Sequence, residues 1–159
     1  MNKFLQFLFF FISFIFLQKY LLAIEISGKV KVIDGDTIKI NNEKIRLLGI
    51  DAFEIKQKCK SRNRTKYKCG LIAKSTLIEI ISNQPVKCIK EKKDYYKRWL
   101  ATCYVGKLDI GENMVLLGYA IAFMSNKYKD AQDEAKKVKA GAWQGEFISP
   151  KEWRKQKRK

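Results

Sequence analysis

Residues Val32–Glu54, VIDGDTIKINNEKIRLLGIDAFE, constrain this chain more than any other stretch. Three carboxylates and one arginine, Asp36, Asp51, Glu54 and Arg46, fall on or beside short strand-like segments. Asp34-Gly35-Asp36 has turn chemistry, because aspartate caps its own backbone and glycine permits positive φ. Beyond it Asp36, Ile38 and Ile40 share one parity, and Thr37, Lys39 and Asn41 the other. With the isoleucines facing a core, Asp36 lies at the rim of that face, where a carboxylate needs a cation, a donor or water. A following strand, Glu43–Ile50, puts Arg46 on the parity of Leu48 and Ile50 and ends at Asp51-Ala52-Phe53-Glu54. Two readings are open from the residues alone. One is a structural Arg–Asp pair closing a small barrel. The other is a site for one hard cation on oxygen ligands, with a guanidinium facing a phosphate.

The rest of the order is that of a barrel. Ile26, Gly28, Val30 and Val32 alternate against polar residues as a half-buried strand over 26–33, leading into an antiparallel meander. Phe53–Lys68 reads as a polar, lysine-rich loop. Ala73, Leu77 and Ile80 or Ile81 give a helix over Gly70–Ser82, stopped by Asn83-Gln84-Pro85. Val86–Ile89 and Trp99–Val105 are two more strands, joined by the charged segment Lys90–Arg98. Five strands with a helix between the third and fourth is the order of an oligonucleotide-binding (OB) barrel. A short helix follows over Glu112–Leu117, stopped by Gly118. Another is marked by Tyr128, Ala131, Ala135 and Val138 and ended by Gly141, with Trp143 as a core plug. The fold class is thus α+β, a five-stranded OB-type barrel with about three helices. The domain spans 24–148, and residues 149–159 form a basic, frayed tail.

The wording of the first stretch resembles the thermonuclease, or staphylococcal-nuclease-like, family. That family's signature runs DGDT, then R-L-x-x-[IV]-D, met by Arg46-Leu47-Leu48-Gly49-Ile50-Asp51, then a turn ending in Glu54. Its second segment is matched by Asp94-Tyr95-Tyr96-Lys97-Arg98-Trp99-Leu100-Ala101, and the likeness runs from about Ile26 to about Trp143. The resemblance implies a staphylococcal-nuclease-like fold and a Ca2+-dependent nuclease that hydrolyses DNA and RNA to 3′-phosphates with little base specificity. It implies that Asp36 and Asp51 bind one Ca2+ with the backbone carbonyl of Ala52. It further implies that Arg46 and Arg98 grip the phosphate, and that Glu54 orients or deprotonates the attacking water. Tyr96 would contact phosphate or stack on a base. The plainer alternatives are a hairpin-end surface cation for Arg98 and a half-buried strand-end aromatic for Tyr96. Ala52 stands in place of the family's usual threonine, Phe53 of a stiffening proline, and Lys97 of a common turn glycine. Tyr119 and Phe123 are the aromatics nearest to where a second nucleotide-flanking tyrosine belongs.

Composition narrows the class. A net charge of +17, from 33 basic and 16 acidic residues, favours polyanionic partners, nucleic acid ahead of anionic membrane. The chain contains no histidine, so proton transfer near neutral pH falls to Glu, Asp, Lys, Tyr, Cys or water. Residues 1–23 read as a cleaved secretory signal. Lys3 precedes an apolar run, Phe4–Leu17, that is shorter than the ~20 residues a bilayer span needs. An uncleaved membrane anchor is the alternative. An exported chain with four cysteines and no C-x2-C spacing favours disulfides over zinc. Of the three connectivities, Cys88–Cys103 braces two consecutive strands, and Cys59–Cys69 then closes the basic loop. The expected protein is an exported, secreted or periplasmic monomer. Two other classes compete: a non-catalytic nucleic-acid-binding OB-type module and a membrane-tethered structural module. The first gains nothing from Asp36, Asp51 and Glu54, which repel a polyanion.

Overall fold

The computed structural model of the chain describes residues 25–158, so the leader expected over 1–23 lies outside them. Strands β1 (Glu25–Gly28) and β2 (Val30–Val32) are separated only by Lys29. They replace the single strand expected over 26–33. With β3 (Thr37–Ile40), β4 (Glu43–Leu47), β8 (Val86–Lys93) and β9 (Trp99–Val105) they form one sheet in the order β1-β8-β9-β4-β3-β2, with β10 (Leu108–Asp109) added on β9. Its two outermost strands are one residue apart in sequence, so the sheet must curl until its edges nearly meet. That is an OB-like barrel within an α+β fold, and closure removes most of the exposed edge that an open sheet presents. Among the described residues only the β4–β9 pairing is parallel.

Alternation decides which face each strand buries. Ile38 and Ile40 of β3 and Ile45 and Leu47 of β4 are all buried, and Ile38 lies directly across from Ile45. Each such isoleucine contributes roughly 2–3 kcal/mol of apolar burial. Thr37 pairs with Arg46 on the opposite face. Asn41 and Asn42 both take positive φ between these strands, a tight hairpin turn that suits asparagine.

Arg46 therefore does not share a face with Leu48 and Ile50, as an uninterrupted strand 43–50 would require. β4 ends at Leu47, and Gly49 turns the chain with φ +79°. The parity restarts in β5 (Ile50–Ala52), which pairs with β11 (Ala120–Ala122) in a separate two-stranded sheet. The lysine-rich segment after it forms a small hairpin, β6 (Cys59–Lys60) with β7 (Lys66–Tyr67).

Helix α1 (Cys69–Ile81) buries Ala73, Leu77 and Ile81 at i, i+4 and i+8 against the sheet. Gly70 sits where a Cβ would fall 1.7 Å from the carbonyl oxygen of Glu54, so glycine lets the helix start against that turn. Cys59–Cys69 and Cys88–Cys103 are the two disulfides, the second between residues directly opposed on β8 and β9. α2 (Ile110–Leu116) is capped by Asp109, whose side chain accepts from Glu112 N–H. α3 (Lys129–Lys137) buries Ala131 and Ala135, but Val138 is 60 % exposed, because the helix ends before it.

The end of the chain departs most from expectation. Trp143, in a 3-10 turn over Gly141–Gln144, is half-buried and does not plug the core. It packs edge-on against Phe147, which packs edge-on against Phe53, at 4.8 and 5.0 Å between centroids. Residues 149–157 are not a frayed tail. They form α4 (Pro150–Lys157), entered through a full capping box between Ser149 and Glu152 with proline at the first turn.

Candidate active site

The parts of the fold described above meet at one cleft of about 450 Å³, lined by Lys44, Arg46, Glu54, Tyr96, Arg98, Arg154 and Arg158. Five of those seven are cations. The expected residues Arg46, Glu54, Tyr96 and Arg98 are all brought to it, from two segments distant in the chain. Asp36 and Asp51 do not line the cleft; they lie buried beneath it, at 5 % and 0 % exposure.

Arg46 joins the two buried acids. Its Nη1 donates to Asp36 Oδ1 and its Nη2 to Asp51 Oδ1, each at 2.8 Å. Asp36 Oδ1 also accepts from Thr37 Oγ1 at 2.9 Å, and Oδ2 from the Ala52 N–H at 3.2 Å. Ala52, whose carbonyl is an expected metal ligand, thus meets the pair through its N–H. Burial pushes the Asp36 carboxyl up to about 6, helped by Asp34 and opposed by Arg46 and by the Ala52 and Thr37 hydrogen bonds. Burial alone would lower Arg46; the carboxylates of Asp36 and Asp51 more than reverse this and raise it.

Arg98 is held differently, by its own turn between β8 and β9. Asp94 Oδ1 accepts the N–H groups of Tyr96 and Arg98 at 2.9 Å, and Oδ2 accepts Arg98 Nε and Nη2 at 2.8 Å. Burial would raise the Asp94 carboxyl, but these hydrogen bonds and the guanidinium hold it below its usual value. Arg98 Nη1 reaches Thr37 Oγ1 at 3.3 Å, which connects the hairpin to the Asp36–Arg46 pair through one hydroxyl. Tyr96 is 65 % exposed rather than half-buried, with the Arg98 guanidinium 5.5 Å from its ring centroid. Lys97, in place of glycine, takes φ +60°.

Glu54 stands on the turn after β5. Without a proline at 53, the turn is fixed by packing instead. Phe53 is buried against Phe147. Gln57, fully buried, accepts the Glu54 N–H at 3.2 Å and donates to the Ile148 carbonyl at 2.8 Å. Arg154 of α4 completes the setting. Its Nη1 donates to Glu54 Oε1 at 2.7 Å and to Asp51 Oδ1 at 3.0 Å, and its Nη2 to Asp51 Oδ2 at 2.9 Å. Burial opposes the charge on Arg154, but both carboxylates raise it well above its ordinary value. Sequence reading missed Arg154, Gln57 and the anchoring role of Asp94. For Arg154 a signal existed: Ser149-Pro150-Lys151-Glu152 is a helix start.

Whether a hard cation fits here can be judged from the donors. Among the described residues no three or more His, Cys, Asp or Glu side chains cluster closely enough to hold a metal by themselves. Asp36 and Asp51 nonetheless share one arginine and offer only oxygen. Carboxylate oxygens of this kind are the donors that a hard cation such as calcium takes.

The family model described as "Staphylococcal nuclease homologue" matches residues 44–145. Among curated proteins, the chain is 35 % identical over 127 residues to "Succinoglycan biosynthesis protein ExoI" of Rhizobium meliloti, covering 76 % of this chain and 66 %, just under two thirds, of that protein. It is 33 % identical over 139 residues to an "Uncharacterized endonuclease" of Haemophilus influenzae, covering 81 % and 72 %. To the "Thermonuclease" of Staphylococcus hyicus it is 31 % identical over 127 residues, covering 72 % and 73 %.

Proposed function

Because the chain belongs to the staphylococcal nuclease homologue family, we propose that it is a nuclease, a hydrolase of phosphodiester bonds in DNA and RNA that works with one Ca2+. The observation that carries this reading is the convergence of Arg46, Arg98 and Glu54 on one cationic cleft above Asp36 and Asp51. A non-catalytic binding module has no use for two acids beneath a polyanion site and a third within it.

Hydrolysis at phosphorus needs an activated water and fixed charge where the pentacoordinate transition state gathers it. Glu54 lines the cleft and, with no histidine in the chain, is the group that holds the water and receives its proton. Arg46 and Arg98 present planar N–H pairs to the equatorial oxygens, which a lysine ammonium cannot match in geometry. Asp94 holds Arg98 through two of its nitrogens, so little reorganisation is left for the transition state. Asp36, Asp51 and the Ala52 carbonyl would hold the cation, which would supply Lewis-acid polarisation of a phosphate oxygen and offset charge. Tyr96, exposed at the rim, stacks on a base or contacts phosphate. The lining is cationic, so contacts fall on the backbone and base specificity is low.

Two disulfides and the apolar N-terminal sequence support an exported, secreted or periplasmic protein. Plasmid digestion tests the reading: cleavage in millimolar Ca2+ and none in excess EGTA is the expected result. DNA retardation without cleavage at any calcium level would reduce the protein to a binding module.

A further inference from the structure

Glu54 occupies a partly exposed turn, 33 % accessible at its side chain, where a free carboxylate would sample several rotamers. It is also held near the fully buried Asp51, a like charge that repels it. Arg154 removes both problems. One nitrogen bridges Glu54 Oε1 and Asp51 Oδ1, while the other locks onto Asp51 Oδ2. Asp51 is itself fixed by Arg46, so Glu54 inherits a rigid frame. The bridge engages Oε1 and leaves Oε2 available to a water in the cleft.

We propose that Arg154 is a positioning residue that acts through Glu54, making α4 part of the catalytic apparatus. The proposal rests on Glu54 being the group that handles the attacking water. The helix that carries Arg154 is built as a platform. Its start is locked by the Ser149–Glu152 capping box, and Pro150 is buried. The residues before it are tied down by Gln57 to Ile148 and by paired backbone bonds between Lys60 and Glu146 at 2.9 and 3.1 Å. Side chains that must hold a reacting group need such a second layer, since a displacement of about 1 Å can cost about 100-fold in rate. Charge counting agrees. Asp36, Asp51 and Glu54 carry −3, Arg46 reduces this to −2, and Arg154 to −1. Without Arg154, Glu54 and Asp51 would separate.

The test is a double-mutant cycle with Arg154→Ala and Glu54→Gln, read as kcat and KM on a single-stranded oligonucleotide in saturating Ca2+. Arg154→Ala is expected to lower kcat about 10-fold or more with KM little changed, by the positional sensitivity above. Arg154→Lys, which keeps one charged donor and guards against a folding defect, should recover part of the loss. In the Glu54→Gln background the Arg154 change should do almost nothing further, because groups acting as a unit are not additive. Fluorescence anisotropy in that same background should show unchanged oligonucleotide affinity. A raised KM with weakened binding would make Arg154 a substrate contact and overturn the proposal. An additive loss, or wild-type kcat in Arg154→Ala, would overturn it too. Faster turnover of Arg154→Ala at limiting Ca2+ would show competition with the metal and do the same. If the wild-type protein cleaves nothing, the nuclease reading falls along with the proposal.

Discussion

The two walls of the cleft hold their arginines by opposite means. On the hairpin wall, Arg98 is gripped by Asp94, four residues away, through contacts that one turn can form by itself. On the helix wall, Arg154 meets Asp51 and Glu54 across 103 and 100 residues of chain. Its placement depends on nearly the whole fold: the Phe53–Phe147–Trp143 stack, Gln57, the Lys60–Glu146 bridge and the helix cap. A locally held group stays aimed through partial opening of the domain. A remotely held one is correct only when the domain is complete, so under the proposed function one wall would supply a standing phosphate clamp and the other a water-handling group conditional on folding.

The contrast yields a ranked set of outcomes. Glu54→Gln removes the reacting group of the helix wall and should lower turnover by about 100-fold or more at unchanged melting temperature, a size borrowed from the loss of single transition-state donors. Rates near wild type would separate the helix wall from the chemistry. Next, replacing both Cys88 and Cys103 by alanine unbraces the strands that carry the hairpin. With 15 residues of separation it should cost about 3 kcal/mol in urea unfolding on the chain-entropy estimate. The surviving native fraction should still bind oligonucleotide, because the Asp94–Arg98 contact is local. The smallest effect belongs to Lys97. At φ +60° it bears a backbone cost that glycine lacks, and Lys97→Gly should stabilise by no more than about 1 kcal/mol. Destabilisation there would mean that the lysine stem packs against the turn strongly enough to outweigh the strain.

The same contrast explains what could be read from the sequence. The barrel was legible because Ile38, Ile40, Ile45 and Leu47 alternate cleanly, and the cysteine pairing because Cys88 and Cys103 sit on consecutive strands. The residues Asp36, Arg46, Asp51, Glu54, Tyr96 and Arg98 lie in two compact motifs, so the gathering of four of them at one cleft, with Asp36 and Asp51 buried beneath it, followed from the resemblance. Parity misled at Arg46, because Gly49 restarts the alternation that a seemingly continuous strand implied. Val138 fits the helical spacing of α3 yet lies past its end. The last helix was hidden by its charge. Arg154 is one of six basic residues after Ser149, and nothing local marks it apart, since its partners are a hundred residues upstream. The Ser149–Glu152 box signals the helix but not which face of it turns inward.

Single-turnover cleavage of a labelled oligonucleotide by wild-type protein, Arg46→Lys and Arg98→Ala, at saturating substrate and calcium, decides whether both guanidinium groups serve one phosphate. The expected result is a fall of about 100-fold or more in the cleavage rate constant for each variant, with the melting temperature of Arg98→Ala held. A rate constant within a few-fold of wild type for either folded variant would contradict it.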